Sequence, residues 1–174
     1  MRKADIVGIA FDRLKDNSLT LITAESLTAG LIASCFADIP GASEVLWGGY
    51  IVYTPEAKFV ELGVGDLLIA KYGIVSEEVA KAMAYGALCK SGIVDNVIAL
   101  SITGYAGPTG GTVTKPIGTV CVGIAHSPFQ ATVATEAKTF RLVGGRNEKR
   151  ERAVQVSMEM LIEYVDNLVL TKIK

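Results

Sequence analysis

Apolar positions along the chain follow two spacings, which predicts strands separated by helices. Residues 3–16 carry apolar side chains at helical spacing, and residues 97–102 form a near-continuous apolar run typical of a strand buried on both faces. The same criteria predict further strands, which are at 19–24, 45–54, 117–125 and 131–140. They also predict further helices, which are at 27–38, from Pro55 onward, from a Ser76 cap to about Ser91, and after the turn at 144–147 to about Leu168.

Strands that alternate with helices, followed by a late hairpin around residues 126–128, favour the α/β class. We predict a three-layer α/β/α fold with helices on both faces of a mixed, mostly parallel sheet. A length of 174 residues and a mass of 18.4 kDa suit one hydrophobic core. Since no repeat, linker or low-complexity segment divides the chain, residues 1–174 are predicted to form one domain.

Composition and charge narrow the classes of function. A net charge of −1 without any basic block gives no electrostatic basis for binding nucleic acid. The apolar runs are strand-sized, so no membrane span is predicted, and the first residues lack a signal-peptide core, which favours a cytoplasmic location. Cys35, Cys89 and Cys121 form no C-x-x-C pattern and are predicted to be buried, reduced thiols. His126 is predicted to lie in an exposed loop before Pro128, and no metal-ligand spacing is found.

A serine lies at the point where a strand is predicted to turn into a helix. Ser26 follows the apolar run at 19–24 and precedes the helix predicted over 27–38. Backbone N–H groups at the start of a helix are unpaired and partly positive, which suits an oxyanion, a phosphate or a nucleophile. Serine is also a common helix cap, and on this segment alone capping is the commoner role. Both interpretations of Ser26 therefore stay open.

Tyr53 and Lys58 lie at and just after the end of the next predicted strand. Tyr53 ends that strand, and Lys58 lies in the first turns of the helix that Pro55 opens. Ligands of α/β folds bind beyond the carboxyl ends of the strands, where these two residues would join Ser26. A buried lysine loses its proton more readily and then serves as a base for a serine, with the tyrosine assisting. The alternative is a solvated helix lysine beside a rim tyrosine.

A glycine-rich segment follows the apolar strand at 97–102. Residues 103–111, with the sequence T-G-Y-A-G-P-T-G-G, contain four glycines that let backbone N–H groups approach a ligand. The spacing matches neither a P-loop nor a dinucleotide-binding fingerprint. Thr103 is placed to orient the serine or to contact a developing oxyanion. The alternative role of the segment is a tight connection between strands.

Five segments together resemble the C-terminal domain of the competence-damage-inducible protein A (CinA) family, whose stand-alone members are nicotinamide-nucleotide amidases. The family pattern runs A-E-S-C-T-G-G, Y-x-x-x-A-K, V-S-E-x-V, T-G-x-A-G-P-x-G-G and K-P-x-G-x-V. The corresponding segments of this chain occur in the same order, at 24–30, 53–58, 75–79, 103–111 and 115–120. Their order and spacing match over about residues 5–165.

The resemblance implies hydrolysis of the carboxamide of nicotinamide mononucleotide, a small-molecule nucleotide, to nicotinic acid mononucleotide and ammonia. By position, Ser26 is the nucleophile and Lys58 its base, with Tyr53 and Thr103 assisting. The residues assigned to substrate binding are Thr28, Gly30, Gly104, Gly107, Gly110, Gly111 and Arg146. Arg146 suits bidentate pairing with phosphate, and a surface salt bridge is its alternative role. Such chemistry needs no metal or cofactor, and the resemblance also implies a homo-oligomer, a dimer or higher.

The chain departs from the family pattern at four positions near the predicted site, which are Leu27, Ala29, Pro55 and Tyr105. The family has a cysteine, a glycine, an asparagine and a smaller apolar residue there, so the shape and polarity of the pocket differ. These departures favour an alternative function, a pyridine-nucleotide-binding module that keeps the fold and has lost turnover. A third function, an interaction subunit, is suggested only by the apolar composition and Trp47.

Overall fold

Residues 3–128 and 132–172 are described by the computed structural model, and they form five strands, six α-helices and one short 3-10 helix at Ala42–Glu44. The strands are β1 (Thr20–Glu25), β2 (Leu46–Ile51), β3 (Val97–Gly104), β4 (Thr119–Ser127) and β5 (Ala134–Arg141). The helices are α1 (Lys3–Asp16), α2 (Leu31–Ala37), α3 (Pro55–Leu62), α4 (Asp66–Tyr72), α5 (Glu77–Ser91) and α6 (Arg146–Lys172).

The five strands form one mixed sheet in the order β2-β1-β3-β4-β5. Strand β1 is parallel to both of its neighbours, whereas β4 is antiparallel to β3 and to β5. Four strands therefore run in one direction and β4 runs in the other, which confirms the predicted mixed, mostly parallel sheet. The carboxyl ends of β1, β2 and β3 share one edge of the sheet, so the segments that follow them meet there.

Helices cover both faces of the sheet, as the α/β prediction requires. One apolar cluster joins α1, α2 and α6 to one face, and a second joins α3 and α5 to the other. Strand β3 contributes to both clusters, with Ile98 and Leu100 in the first and Val97 and Ala99 in the second. Because successive side chains of a strand point to opposite faces, this double burial explains the near-continuous apolar run in the sequence.

Several boundaries differ from the sequence predictions. Helix α2 begins at Leu31 rather than at residue 27, and β2 ends at Ile51 rather than at residue 54. Helix α4 was not predicted, since it is only seven residues long and has no buried side chain to mark a helical stripe. Helix α5 begins as predicted, with Ser76 Oγ accepting a bond of 3.2 Å from the Val79 N–H. Residue 131 of the strand predicted at 131–140 lies outside the described residues.

The prediction of an exposed loop for His126 is wrong. Strand β4 continues to Ser127, and His126 is buried and paired in register with Ile98 and Ala134. Its ring packs edge-on against Tyr164 of α6, with 5.7 Å between the ring centroids. Pro128 directly follows the end of β4, so the proline marks the end of the strand and not a loop that contains the histidine.

The three cysteines are free thiols, and burial was predicted correctly for two of them. Cys35 and Cys121 are buried, whereas Cys89 is exposed on α5. The Cys89 prediction is wrong because that position of α5 lies outside the face that packs on the sheet, where Met83, Ala87 and Leu88 are buried. Among the described helices, none combines the length and the apolar character needed to cross a bilayer.

Candidate active site

Ser26 directly follows β1 and begins a tight turn that precedes α2. Its N–H donates to the Ile102 carbonyl at 3.1 Å, which ties the residue to β3, and its side chain is largely buried. The turn includes two residues with positive φ, Ala29 at 50° and Gly30 at 91°. Glycine adopts this conformation freely, whereas Ala29 holds an unfavourable one because of its Cβ. The turn displaces the start of α2 by four residues, to Leu31, and leaves Ser26 outside the helix.

The cap of α2 is supplied by Glu25 and not by Ser26. The Glu25 carboxylate accepts hydrogen bonds from the N–H groups of Gly30, Ile32 and Ala33 at 2.9, 3.1 and 2.9 Å, and the side chain is fully buried. A carboxylate satisfies otherwise unpaired donors and complements the positive end of the helix. The capping role considered for Ser26 is therefore wrong, and its hydroxyl is available for another partner.

Lys58 reaches that hydroxyl from the second turn of α3. The helix begins with Thr54 as its cap, whose Oγ1 accepts from the Ala57 N–H at 3.1 Å, and Pro55 follows in the first turn. This start places Lys58 on the buried side, with its amine 3.0 Å from Ser26 Oγ. The amine also donates to the backbone carbonyls of Val52 at 2.7 Å and Tyr53 at 3.4 Å. The alternative of a solvated lysine is excluded, since Lys58 is 0% exposed.

Burial lowers the pKa of the Lys58 amine from 10.5 to about 8. In the part of the chain that the structure describes, no carboxylate lies within ion-pair distance of this amine to counter that effect. About a tenth of the amine is therefore unprotonated at pH 7, and about half at pH 8. In that form two N–H groups suffice for the two carbonyls, and the lone pair is free to take a proton from Ser26.

A cavity of about 260 Å³ opens at Ser26, beyond the carboxyl ends of the strands. Six of the predicted site residues line it, which are Ser26, Tyr53, Thr103, Gly104, Gly107 and Arg146. The other predicted binding residues are outside this lining, which are Thr28, Gly30, Gly110 and Gly111. Lys58 is not part of the cavity lining and contacts Ser26 from the protein interior. The structure thus brings three separate strand ends and the start of α6 together around one serine.

Arg146 spans the mouth of the cavity from the first turn of α6. Its guanidinium donates to the Tyr53 hydroxyl at 2.7 Å and to the Gly107 carbonyl. Tyr53 is half exposed, and its contact with Lys58 is made by its carbonyl rather than by its ring. Within the described residues, no carboxylate pairs with Arg146 as a surface salt bridge would require. The positive charge of the guanidinium is therefore not neutralised by any described carboxylate at the mouth of the cavity.

The glycine-rich segment folds closely on itself beside the serine. A Cβ on Gly104 would lie 2.8 Å from Val120 Cγ2, and one on Gly111 would lie 2.8 Å from the backbone nitrogen of Ile117. Both contacts are too close for any side chain, so these glycines permit the tight return of the loop. Thr103 Oγ1 donates to the Ile74 carbonyl at 3.0 Å, which fixes its rotamer at the cavity wall.

Sequence reasoning missed two charged residues that hold the turn after the serine. Glu25 was visible only as part of the A-E-S motif, and its side chain proves to be fully buried. Arg150 donates to the carbonyls of Leu27 and Thr28 at 3.0 and 2.9 Å. The available signal was the spacing of Arg146 and Arg150, since residues four apart lie on the same side of a helix.

A second and wider depression, of about 660 Å³, lies between the start of α5 and the β4–β5 hairpin. Its lining includes Cys121, Lys115 and Arg141. Burial raises the pKa of the Cys121 thiol, which keeps the sulfur protonated and weakly nucleophilic. Of the two cavities, the smaller one at Ser26 therefore has the side chains better suited to covalent catalysis.

The fold and the site define an α/β domain with a buried serine–lysine pair at the carboxyl ends of its parallel strands. The chain belongs to the family described as the CinA C-terminal domain, whose model matches residues 3–165. A CinA-like protein of Chlorobium limicola is 41% identical over 156 residues, which are 90% of this chain and 36% of that protein. A CinA-like protein of Mycolicibacterium paratuberculosis is 47% identical over 81% of this chain and 32% of its own length. This chain thus spans about a third of these relatives.

Solved structures share the fold over nearly their whole length. A competence-damaged protein (CinA) superfamily protein from Klebsiella pneumoniae has a TM-score of 0.86 and 27% identity, covering 96% of this chain and 99% of that one. The competence/damage inducible protein CihA from Agrobacterium tumefaciens has a TM-score of 0.78 and 36% identity, covering 91% and 94% respectively. The α/β architecture described above is therefore that of CinA superfamily structures.

Proposed function

We propose that this chain hydrolyses the carboxamide of nicotinamide mononucleotide, giving nicotinic acid mononucleotide and ammonia. The observation that carries the proposal is the buried amine of Lys58, which lies 3.0 Å from the hydroxyl of Ser26. Ser26 in turn lines a cavity large enough for part of a nucleotide. The motifs shared with nicotinamide-nucleotide amidases are the reason for proposing this substrate. The geometry supports Ser26 as the nucleophile and Lys58 as its base.

The reaction proceeds in two halves. Lys58 takes the proton of the Ser26 hydroxyl as Oγ attacks the carboxamide carbon, and the carbonyl oxygen becomes an oxyanion. When the C–N bond breaks, Lys58 returns that proton to the leaving nitrogen, which departs as ammonia. Water then attacks the acyl group on Ser26 while Lys58 accepts its proton. Lys58 returns that proton to Ser26 Oγ as the ester bond breaks, which frees the carboxylic acid and restores the serine.

Arg146 is suited to the phosphate of the mononucleotide. Its guanidinium lies at the cavity mouth, where its hydrogen bonds go to the neutral Tyr53 hydroxyl and the Gly107 carbonyl. A phosphate offers stronger, charge-assisted and bidentate bonds than those two acceptors. The nicotinamide ring would then enter the cavity toward Ser26, with the phosphate held outside.

The test is ammonia release by the purified protein with nicotinamide mononucleotide, run beside nicotinamide and nicotinamide riboside. Ser26→Ala removes the nucleophile, and Ser34→Ala is the matched control, since Ser34 is an exposed serine on the neighbouring helix α2. The expected result is turnover of the mononucleotide that is lost in Ser26→Ala and kept in Ser34→Ala. Saturable binding of the mononucleotide without product would instead favour the binding module that the departures at Leu27, Ala29, Pro55 and Tyr105 suggest.

A further inference from the structure

The turn that follows Ser26 is held from two sides by charged side chains. On one side the Glu25 carboxylate accepts the N–H groups of Gly30, Ile32 and Ala33. On the other side the Arg150 guanidinium donates through Nε to the Leu27 carbonyl and through Nη2 to the Thr28 carbonyl, at 3.0 and 2.9 Å. A positive φ of 50° at Ala29 makes the turn costly, so it persists only where the surroundings impose it.

The two carbonyls that Arg150 holds also determine where the next two N–H groups point. In a trans peptide the C=O and the N–H of one unit point in opposite directions. The bond to the Leu27 carbonyl therefore turns the Thr28 N–H away from Arg150. The bond to the Thr28 carbonyl does the same for the Ala29 N–H, which donates back to the Ser26 carbonyl at 3.0 Å. Arg150 thus directly fixes the peptide units that carry the Thr28 and Ala29 N–H groups. Through the Ala29 bond to the Ser26 carbonyl, it also fixes the unit that carries the Leu27 N–H.

Two backbone donors beside the serine are left without acceptors. Across residues 3–128 and 132–172, no hydrogen bond is donated by the N–H of Leu27 or of Thr28. Buried backbone donors are normally paired, so two free N–H groups directly after a serine in a nucleophile position stand out. Leu27 lines the cavity at Ser26, and Thr28 follows it directly behind that lining. Donors in such a place are suited to an oxyanion that forms only during the reaction.

We propose that Arg150 is a positioning residue, which holds the turn so that the Leu27 and Thr28 N–H groups are kept for the oxyanion formed when Ser26 attacks its substrate. The proposal rests on the proposed serine–lysine function. An arginine is required because its planar guanidinium spaces two donors to match two adjacent carbonyls, whereas a lysine offers one compact charge. Arg150 does not line the cavity and acts only through the turn.

The experiment compares Arg150→Met and Arg150→Lys with Arg152→Met. Arg152 is an exposed arginine two residues further along the same helix, so its variant controls for the loss of a positive charge on α6. For Arg150→Met we expect kcat to fall about 10- to 100-fold with little change in KM, and with the pH midpoint set by Lys58 unmoved. Arg150→Lys keeps a positive charge and is expected to lose less kcat than Arg150→Met. A remaining loss of kcat in this more conservative, folded variant would show that the effect is not due to misfolding. Unchanged kcat in both Arg150 variants would overturn the proposal.

A second readout separates this proposal from the choice of substrate. A fluorophosphonate reacts with an activated serine by forming an O–P bond as fluoride leaves and Lys58 takes the hydroxyl proton. As phosphorus is attacked, negative charge builds on the polarised phosphoryl oxygen beside the serine, which the same backbone donors would stabilise. Intact mass then gives the rate at which Ser26 is modified, with Ser26→Ala as the blank. A rate that falls at least about tenfold in Arg150→Met and not in Arg152→Met supports the positioning role even where no carboxamide is hydrolysed. Equal modification rates in the unsubstituted protein, Arg150→Met and Arg152→Met would overturn the proposal.

Discussion

The amine nitrogen of Lys58 lies 3.0 Å from the hydroxyl oxygen of Ser26, and solvent scarcely reaches either side chain. A protonated Lys58 at this position has lost its hydration shell, and no carboxylate among the described residues forms an ion pair with it. Because the pKa of Lys58 is lowered to about 8 in the folded protein, the unfolded chain binds this proton more tightly. The folded state is therefore penalised below pH 8, and the penalty disappears as the pH rises from about 8 to 10.5.

Replacing the amine by an apolar chain of similar length should stabilise the fold. Lys58→Met is expected to raise the free energy of unfolding at pH 7 by about 2 kcal/mol, since a charge penalty on the order of 3 kcal/mol is removed and the bond to the Val52 carbonyl is lost. The gain should shrink at pH 10. Urea denaturation at both pH values measures it, with the exposed Lys71→Met as control. A loss of stability that is equal at both pH values would contradict the prediction.

Hydrolysis should accelerate as the pH rises, reach half of its maximum near pH 8 and level off above about pH 9, because only the unprotonated amine of Lys58 accepts the serine proton. At pH 6 the value of kcat/KM is expected to be about 100-fold below the plateau. Initial rates of ammonia release between pH 6 and 9.5 give the profile, with Ser26→Ala as the blank at each pH. A profile that is flat over this range would show that Lys58 is not the base.

Removal of the guanidinium at the cavity mouth should affect substrates that carry a phosphate. Arg146→Met is expected to raise KM for nicotinamide mononucleotide about 10- to 100-fold, as charge-assisted bonds to the phosphate are lost. The rate with nicotinamide riboside, which has no phosphate, should change little. Arg152→Met serves as the exposed control on the same helix. An equal loss with both substrates would place Arg146 at the carboxamide rather than at the phosphate.

Loss of one carboxylate oxygen from Glu25 should loosen the start of α2. An amide has a single acceptor oxygen, so Glu25→Gln leaves at least one of the three N–H groups unpaired and brings an NH₂ group against them. We expect the free energy of unfolding to fall by about 1–2 kcal/mol. Glu56→Gln, in the exposed first turn of α3, is the matched control in the same urea titration. Similar values for the two variants would show that Glu25 is not the cap.

Two helical glycines should respond oppositely to the same substitution. A Cβ on Gly86 of α5 would overlap the carbonyl oxygen of Leu62, whereas one on Gly8 of α1 would meet nothing within 4 Å. Gly86→Ala is expected to lower the free energy of unfolding by about 1–3 kcal/mol, since α5 must move away from α3. Gly8→Ala should raise it by about 0.5–1 kcal/mol through helix propensity. Thermal and urea denaturation of both variants, each measured against the unsubstituted chain, check the signs.

The sequence predicts well what depends on local pattern. The double burial of β3 follows from its apolar run, and the start of α5 follows from Ser76. The meeting of Ser26 and Lys58 follows from a general rule, since both come after parallel strands that end at one edge of the sheet. These relationships need only periodicity, caps and topology.

What the sequence does not predict depends on tertiary contacts. The start of α2 was misplaced because the left-handed conformation of Ala29 is imposed by its neighbours and runs against alanine's own preference. Glu25 was missed as a cap because it reaches the helix from five to eight residues upstream. His126 was misplaced because its burial depends on Tyr164, which lies 38 residues further along the chain.

The bonds from Arg150 to the turn after Ser26 join parts of the chain that are 123 and 122 residues apart. Ser26 and Lys58 precede α6 by more than half of the chain, so they leave the ribosomal exit tunnel before α6 is fully synthesised. Until that last helix docks, nothing supplies the guanidinium that holds the turn. If Arg150 has the proposed role, completion of the fold and placement of the Leu27 and Thr28 N–H groups beside Ser26 are a single event. A nascent or truncated chain without α6 would then carry Ser26 and Lys58 but no fixed donors for an oxyanion.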